Sequence, residues 1–436
     1  MTGEWTLRRI GDLGRVVTGK TPTTSVAANF GGEYPFITIP DLHGQRDVYC
    51  AARTLTEVGA AAVWTCRLPV GAVMMSCIAT VGRCGITTRP SFTNQQINSL
   101  ICGPDADPKF VYYVFTQLGR QLESVGGGGS VYTNVSKSRF EDIEISLPQL
   151  PTQRAIAHVL GTLDDKIELN RKMSETLEEL ARTLFKSWFV DFDPVHAKAA
   201  GKRPFGMDDT TAALFPDSFE DSELGPIPRG WRVASLSSQG RFLNGLALQK
   251  YPEVPGDVRL PVIKIREMRQ GSASGSAFAS HVPSDYVVRD GDLLFSWSAT
   301  LMATRWAGGD GALNQHIFKV TSEQHESWWM QCWIEHHLEE FRAIASDKAT
   351  TMGHIQRGHL DRALVVEVPT ELETAASRVL APLLDRALHC RLESRTLAEL
   401  RDTLLPKLLS GELRVPLDFV DAPTAKAEQL GLFPQD

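Results

Sequence analysis

The chain is poor in cysteine, has no long hydrophobic run and carries no excess of positive charge. Its seven cysteines in 436 residues are odd in number and scattered, without a C-x-x-C pair. That argues against a disulfide framework or a zinc knuckle, and reduced thiols in a cytoplasmic protein are expected. No apolar run approaches the ~18 residues a membrane span needs. The start, MTGEWTLRRI, lacks the apolar core of a signal peptide, so no membrane partner is expected. A formal net charge of −7 excludes a generally basic protein that coats nucleic acid. The balance is uneven, however. Residues 1–150 carry 13 Lys+Arg against 12 Asp+Glu, and 228–370 carry 15 against 15. The acid excess lies in 151–227 (9 against 14) and 371–436 (8 against 11), which leaves local basic faces possible in two near-neutral domains.

Catalytic patterns are equally scarce. An adenine methyltransferase would need an Asn/Asp-Pro-Pro-aromatic motif to hold the exocyclic amine, and the chain has none. His354 and His359 in HIQRGH, and the pair His336–His337, lack zinc-site spacing, so no metal is expected. One pattern does match. GRVVTGKT, Gly14 to Thr21, fits the phosphate-binding sequence G-x-x-x-x-G-K-[ST].

An internal repeat tests that match. EWTLRRIGDLGRVVTG (4–19) returns as GWRVASLSSQGRFLNG (230–245), and YPFITIPDL (34–42) as LPVIKIREM (260–268), both at an offset of 226. The offset then becomes 220. GAVMMSCIAT (71–80) matches GDLLFSWSAT (291–300), NQQI (94–97) matches NQHI (314–317), and VLGTLDD (159–165) matches VLAPLLD (379–385). In the second copy Leu246 and Ala247 replace Lys20 and Thr21, and the loop-like TTSVAANFGGEYP follows where a phosphate-cradling helix should begin. A tight turn with Gly14 and Gly19 at positive φ is expected instead.

YPFITI, GAVMMSCIA, DIEISL and their second-copy equivalents read as short strands. From 156 to 188 the pattern changes. Ile156, Leu160, Leu163, Ile167, Asn170, Ser174, Leu177, Ala181, Leu184 and Trp188 form a heptad seam. Its counterpart is Ala376, Leu380, Leu383, Ala387, Cys390, Ser394, Leu397, Arg401, Leu404 and Leu408. The matched polar centres suggest that the two helices pack as an antiparallel pair, with Arg401 weakening the second seam. Pro382 is expected to kink the second helix or lie near its start.

The expected fold is α+β: two β-rich recognition domains separated by two long antiparallel helices, with a pseudo-twofold internal repeat. The boundaries read as 1–150 for the first domain, 151–190 for the first helix and 191–227 for an acidic, Pro/Gly-rich surface linker. The second domain follows over 228–370, the second helix over 371–412 and a C-terminal tail over 413–436.

This order of parts resembles the specificity subunits of type I restriction–modification systems. The carrying stretches are EWTLRRIGDLGRVVTGKTP, NQQIN, the run from VSKSRFEDIEISLPQLPTQRAIA to LARTLFKSWF (135–189), LGPIPRGWRVASL and LLPKLLSGELRV. The second copy departs from the family pattern at VPTELETAASRVL, which lacks the Gln-Arg of LPQLPTQRAIA. The resemblance implies a non-catalytic subunit that recognises a bipartite target in double-stranded DNA, one half per domain, with the helices setting the spacing. Two methylation subunits would dock on the helices and bring S-adenosylmethionine. Restriction subunits would bring ATP and Mg, and the chain itself would hold no cofactor. A coiled-coil adaptor without DNA specificity, or a P-loop nucleotide-binding protein, is the alternative.

If the domains read different half-sites, shared positions serve scaffold or phosphate contact and divergent ones are candidate base readers. Asn94 and Gln95 recur as Asn314 and Gln315 and are assigned to structure or backbone positioning. The divergent pairs are Thr38/Lys264, Pro40/Arg266, His43/Arg269, Gln96/His316, Gly85/Arg305, Asn134/His354 and Lys137/Arg357. Arg and Lys reach guanine edges, Asn and Gln suit adenine, and any of them can hold phosphate instead. Lys20 and Arg139 complete the set of candidate DNA contacts.

Overall fold

The computed structural model describes residues 5–42, 45–126, 134–273, 277–347 and 353–416. Two helices of 40 residues each, Leu150–Phe189 and Thr370–Leu409, start 220 positions apart, the offset of the sequence repeat. The seam residues of both are buried or half-buried along their whole length. Pro151 sits in the first turn of the first helix, where its missing N–H costs nothing. Pro382 lies well inside the second helix, exposed, and the helix runs on through it, so it does not mark the start.

The chain divides into two compact units, Met1–Glu168 with Thr396–Asp436, and Leu169–Arg395. Each holds part of both long helices, running antiparallel. In the first unit Leu160 shares a core with Leu405 and Leu408, and Arg401 bonds Asp164 at 2.8 Å. The Arg401 charge is therefore not a flaw in the seam. Burial works against it, but Asp164 and Asp402 outweigh burial and hold its pKa up. In the second unit the Asn170 amide donates to Glu393 at 2.8 Å, and Ala181 and Phe185 share a core with Ala376, Leu380 and Leu384.

Each unit carries a larger sheet, antiparallel except where Asp47–Val48 pairs parallel with Cys84–Thr87 in the first unit, and a smaller mixed one. In the first, the larger sheet orders the strands Gly14–Thr18, Ile97–Cys102, Val73–Ser76, Cys84–Thr87 and Asp47–Val48. In the second, the order is Arg241–Asn244, Ile317–Thr321, Leu293–Ser296 and Met302–Arg305. The smaller sheets share a parallel pairing, Ile37 opposite Thr93 and Ile263 opposite Leu313.

The entry to each long helix is tied down at matched positions. Buried Gln153 donates to the carbonyls of Asp105 and Pro148, and its Oε1 accepts from the Asp107 N–H at 2.9 Å. In the second copy Glu373 takes its place and meets His325, the counterpart of Asp105, at 3.0 Å. The missing glutamine is thus a compensated exchange.

The phosphate-loop look-alike folds as a strand. Gly14 to Thr18 pair with Cys102 to Asn98, and after Lys20 the chain continues as loop to a short turn at Ala27–Asn29. Gly14 is extended, at φ 161°, and neither it nor Gly19 adopts the left-handed conformation expected of a tight turn. Close approach explains both, since a Cβ on Gly14 would stand 2.1 Å from the Ile101 carbonyl oxygen and one on Gly19 2.2 Å from that of Asn94.

The segment 191–227 is not a surface linker. It forms helices Asp193–Ala199 and Asp209–Leu214 and a hairpin from Phe219 to Pro228. Val195, Met207, Phe215 and Ile227 are buried in the core of the second unit. Trp188–Phe215 and Phe192–Trp231 ring contacts hold it there. His43 and the tail from 417 lie outside the described residues.

Candidate nucleic-acid interface

In the first unit Thr18 lies opposite Asn98, and Ser76 opposite Ile97. Three connecting segments, 19–21, 77–80 and 94–96, therefore leave the same end of the larger sheet. Asn134 joins them through an antiparallel bridge to Ile78. The second unit repeats this geometry. Asn244 lies opposite Phe318 and Ser296 opposite Ile317, so 245–247, 297–300 and 314–316 emerge together, and His354 bridges Ser298.

One hydrogen-bonded frame holds both loop clusters. Ser76 Oγ donates to the Thr80 carbonyl at 2.5 Å, and Ser296 Oγ to that of Thr300 at 2.6 Å. Each closes a turn in which Ala79 (φ 65°) or Ala299 (φ 54°) is left-handed, a strained choice for alanine. The Asn94 side chain accepts from the Gln96 N–H at 3.1 Å, and that of Asn314 from the His316 N–H at 3.3 Å. Gly19 N and Gly245 N donate to the carbonyls of Ile97 and Ile317. Cys77 N donates to Gln96 O and Val135 N to Cys77 O, while Trp297 N donates to His316 O and Ile355 N to Trp297 O.

The frame decides where the expected contacts fall. Asn94 and Asn314 are half-buried and buried turn-holders, as their recurrence suggests. Gln95 is exposed and accepts from the Thr21 hydroxyl at 2.7 Å, beside exposed Lys20. Gln315 is half-buried and meets His316 Nε2 at 3.3 Å. Gln96, His316, Asn134 and His354 all stand on the segments that the frame gathers, the last two exposed. Lys264 is exposed next to Ile263, whose carbonyl accepts from the Asn314 N–H. Arg266 and Arg269 are exposed on the short helix Ile265–Gln270 that follows. Lys137, Arg139 and Arg357 are exposed on the first turns of equivalent short helices, Lys137–Glu141 and Arg357–Arg362. Lys137 pairs with Glu141 at 3.5 Å, and Arg357 donates to the Phe242 carbonyl at 3.4 Å.

Arg305 stands apart. It lies opposite Leu293, at the other end of the strand pair from Ser296, and is ion-paired to Asp385 of the second long helix at 2.5 Å. Its side chain is 14% exposed. Asp165, the matching residue of the first helix, takes Arg46 in the same way at 2.6 Å. Arg305 thus anchors its domain to its helix and belongs to the scaffold.

Two members of the cluster escape a reading of charged residues. Trp297 is half-buried, its indole N–H donating to Asn244 Oδ1 at 3.0 Å, with the His316 and His354 rings 5.7 and 6.2 Å from its own. The equivalent Cys77 is buried, and burial pushes its thiol up to about 11, so it stays a neutral thiol. The aligned stretches GAVMMSCIAT and GDLLFSWSAT contain both residues, and the Cys/Trp exchange inside an otherwise shared turn is the signal that could have found them.

Among the described residues, no group of His, Cys, Asp or Glu could hold a metal ion, and no helix is long and apolar enough to cross a membrane. What the two sheet ends offer is exposed amides, imidazoles and cations on a hydrogen-bonded frame.

Comparison with known proteins agrees with this architecture. Residues 2–179 match the type I restriction modification DNA specificity domain. The chain is 26% identical to the type I restriction enzyme MjaIX specificity subunit of Methanocaldococcus jannaschii over 94% of each chain. It is 34% identical to the HindI specificity subunit of Haemophilus influenzae over 39% of each. The S subunit of a type I restriction–modification system from M. genitalium has a similar fold, with a TM-score of 0.51 at 14% identity over 93% of this chain and 96% of that one. With its duplicated domains and paired long helices, the chain is similar along most of its length to type I restriction–modification specificity subunits, and its first 179 residues carry the match to their DNA specificity domain.

Proposed function

We propose that this chain is the DNA-recognition subunit of a type I restriction–modification complex, and that each of its two domains reads one half of a bipartite duplex target. The observation that carries this reading is the pair of loop clusters: one backbone frame, built twice, with different polar side chains displayed on it. A single binding function retained in two copies would favour the same side chains, whereas two half-sites require different ones. Phosphate contacts fall to exposed Lys20, Lys137, Arg139, Lys264, Arg266, Arg269 and Arg357, which position without specifying.

In this reading the chain performs no chemistry. Two methylation subunits dock on the long helices and carry S-adenosylmethionine, restriction subunits bring ATP and Mg, and the complex acts in the cytoplasm. The helices act as the ruler between half-sites. One heptad spans ~10 Å at 1.5 Å per residue, about three base pairs.

Methylome sequencing of a host carrying the wild-type genes should return an asymmetric two-part motif with a fixed gap. Replacing residues 1–150 by the equivalent domain of a relative should change one half only; change in both halves refutes separate reading heads. Deleting Asn170–Thr176 together with Cys390–Thr396 should shorten the preferred gap by a few base pairs or abolish specific binding. Unchanged preference in a spacer-length selection would mean that the helices do not set the distance.

A further inference from the structure

The two loop clusters can be compared position by position, and the comparison separates a constant rim from a variable centre. Ser76, Ala79, Thr80, Asn94, Gln95 and Gly19 recur unchanged as Ser296, Ala299, Thr300, Asn314, Gln315 and Gly245. Even the close contact recurs, since a Cβ on Gly245 would stand 2.2 Å from the Asn314 carbonyl oxygen, as one on Gly19 would from that of Asn94. Besides Lys20/Leu246, Thr21/Ala247 and Ile78/Ser298, four positions differ: Thr18/Asn244, Cys77/Trp297, Gln96/His316 and Asn134/His354.

These four are not scattered. Trp297 touches the other three, through its hydrogen bond to Asn244 and its ring contacts with His316 and His354. His316 Nδ1 is buried without a hydrogen-bond partner among the described residues. A half-buried indole pinned by a hydrogen bond and flanked by two imidazoles is a fixed surface, with an apolar wall and imidazole rings in known places. The first unit is built otherwise. Cys77 is buried, and over that small floor stand exposed Asn134 and half-buried Gln96, whose Oε1 accepts from Asn94 Nδ2 at 2.9 Å, leaving its NH2 as a donor.

We infer that Trp297, His316 and His354, held by Asn244, form the base-reading centre of the second domain, and that Gln96 and Asn134 form that of the first. The inference rests on the proposed function and names which side chains carry its specificity. Amide side chains match the paired donor and acceptor of adenine in the major groove. The second centre suits a different edge: the exposed His354 imidazole facing a purine, with the indole packed against a thymine methyl. The positive charges around the rim then supply affinity without sequence.

A transplant tests this. Asn244→Thr, Trp297→Cys, His316→Gln and His354→Asn together give the second domain the first domain's centre on an unchanged frame. The full complex with methylation subunits is assayed by methylome sequencing and by binding selection on a library randomised in both half-sites. Affinity for the original second half-site should fall roughly 5- to 150-fold, the span of one good base contact. The first half-site should stay as it was. The single variants His316→Gln and His354→Asn change side chains at half-buried and exposed positions, and each should relax one or two positions even if the fourfold variant fails to fold. An unchanged second half-site in these folded single variants overturns the inference alone. A wild-type complex that selects no two-part motif overturns the proposed function and this inference with it.

Discussion

The same junction between recognition domain and long helix is built from charge in the first unit and from aromatic rings in the second. In the first, Asp164 accepts from Arg401 at 2.8 Å and from the Tyr113 hydroxyl at 2.5 Å. Around them lies a polar cavity of about 210 Å³, lined also by Tyr112, Arg120 and Leu405. Burial and the neighbouring Asp164 push the Tyr113 hydroxyl well above its ordinary value, so it remains a donor. At the matching positions of the second unit stand Leu384, Ala181, Trp333, Cys332 and Phe185, all buried. The Phe185 and Trp333 rings meet edge-on at 5.0 Å. Replacing a buried ion pair by packed hydrocarbon of similar volume is often neutral or stabilising. The duplicated chain holds both solutions, which shows that the backbone arrangement tolerates either.

The sharpest way to break this comparison is to cut the second junction. Phe185→Ala should cost about 3–5 kcal/mol, because the ring fills a site with no room to relax. Leu405→Ala at the matching position borders an existing cavity and should cost about 2 kcal/mol, near the low end for a buried leucine. Guanidinium unfolding followed by tryptophan fluorescence and by circular dichroism measures both; equal losses would mean the junctions are packed alike.

Asp164→Ala leaves Arg401 and Tyr113 without their shared acceptor and should cost about 2–3 kcal/mol. The double change Asp164→Leu with Arg401→Ala copies the second unit and should recover most of that loss. A double variant as unstable as the single one would show that charge is required there.

Gly19→Ala and Gly245→Ala drive a Cβ against backbone oxygen at the same 2.2 Å in the two frames. Each should destabilise its unit by about 1–3 kcal/mol, and by the same amount. Unequal thermal shifts would show that the frames differ in stiffness despite their matching hydrogen bonds.

The smallest expected effect is on reactivity. At pH 8 iodoacetamide should label exposed Cys50, while Cys77, whose thiol titrates only near pH 11, stays unlabelled until denaturant is added. Mass spectrometry of the labelled peptides decides it, and early modification of Cys77 would mean that the floor of the first loop cluster opens.

Much of the architecture was legible because it is local or periodic. The heptad seams from Ile156 and Ala376 fall on buried or half-buried faces of the long helices. The repeat offset of 220 reappears in their start positions. The acidic stretch 191–227 misled because its composition is that of a loop, while its few apolar residues, Val195, Phe215 and Ile227, are well spaced to enter a core supplied by distant segments. Arg305 misled for a related reason. Its sequence neighbours place it on a strand, but only the pairing register puts it at the end that meets Asp385.

By itself the sequence determined the class of fold and the duplication, since these follow from periodicity and from what a second copy retains. Tertiary structure alone decided which divergent residues meet. Thr18, Cys77, Gln96 and Asn134 span more than a hundred positions of chain, and antiparallel pairing brings their segments to one sheet end. Strand pairing brings distant segments together through backbone hydrogen bonds that all residues but proline can make, so the side chains at these positions do not record which segment they will meet.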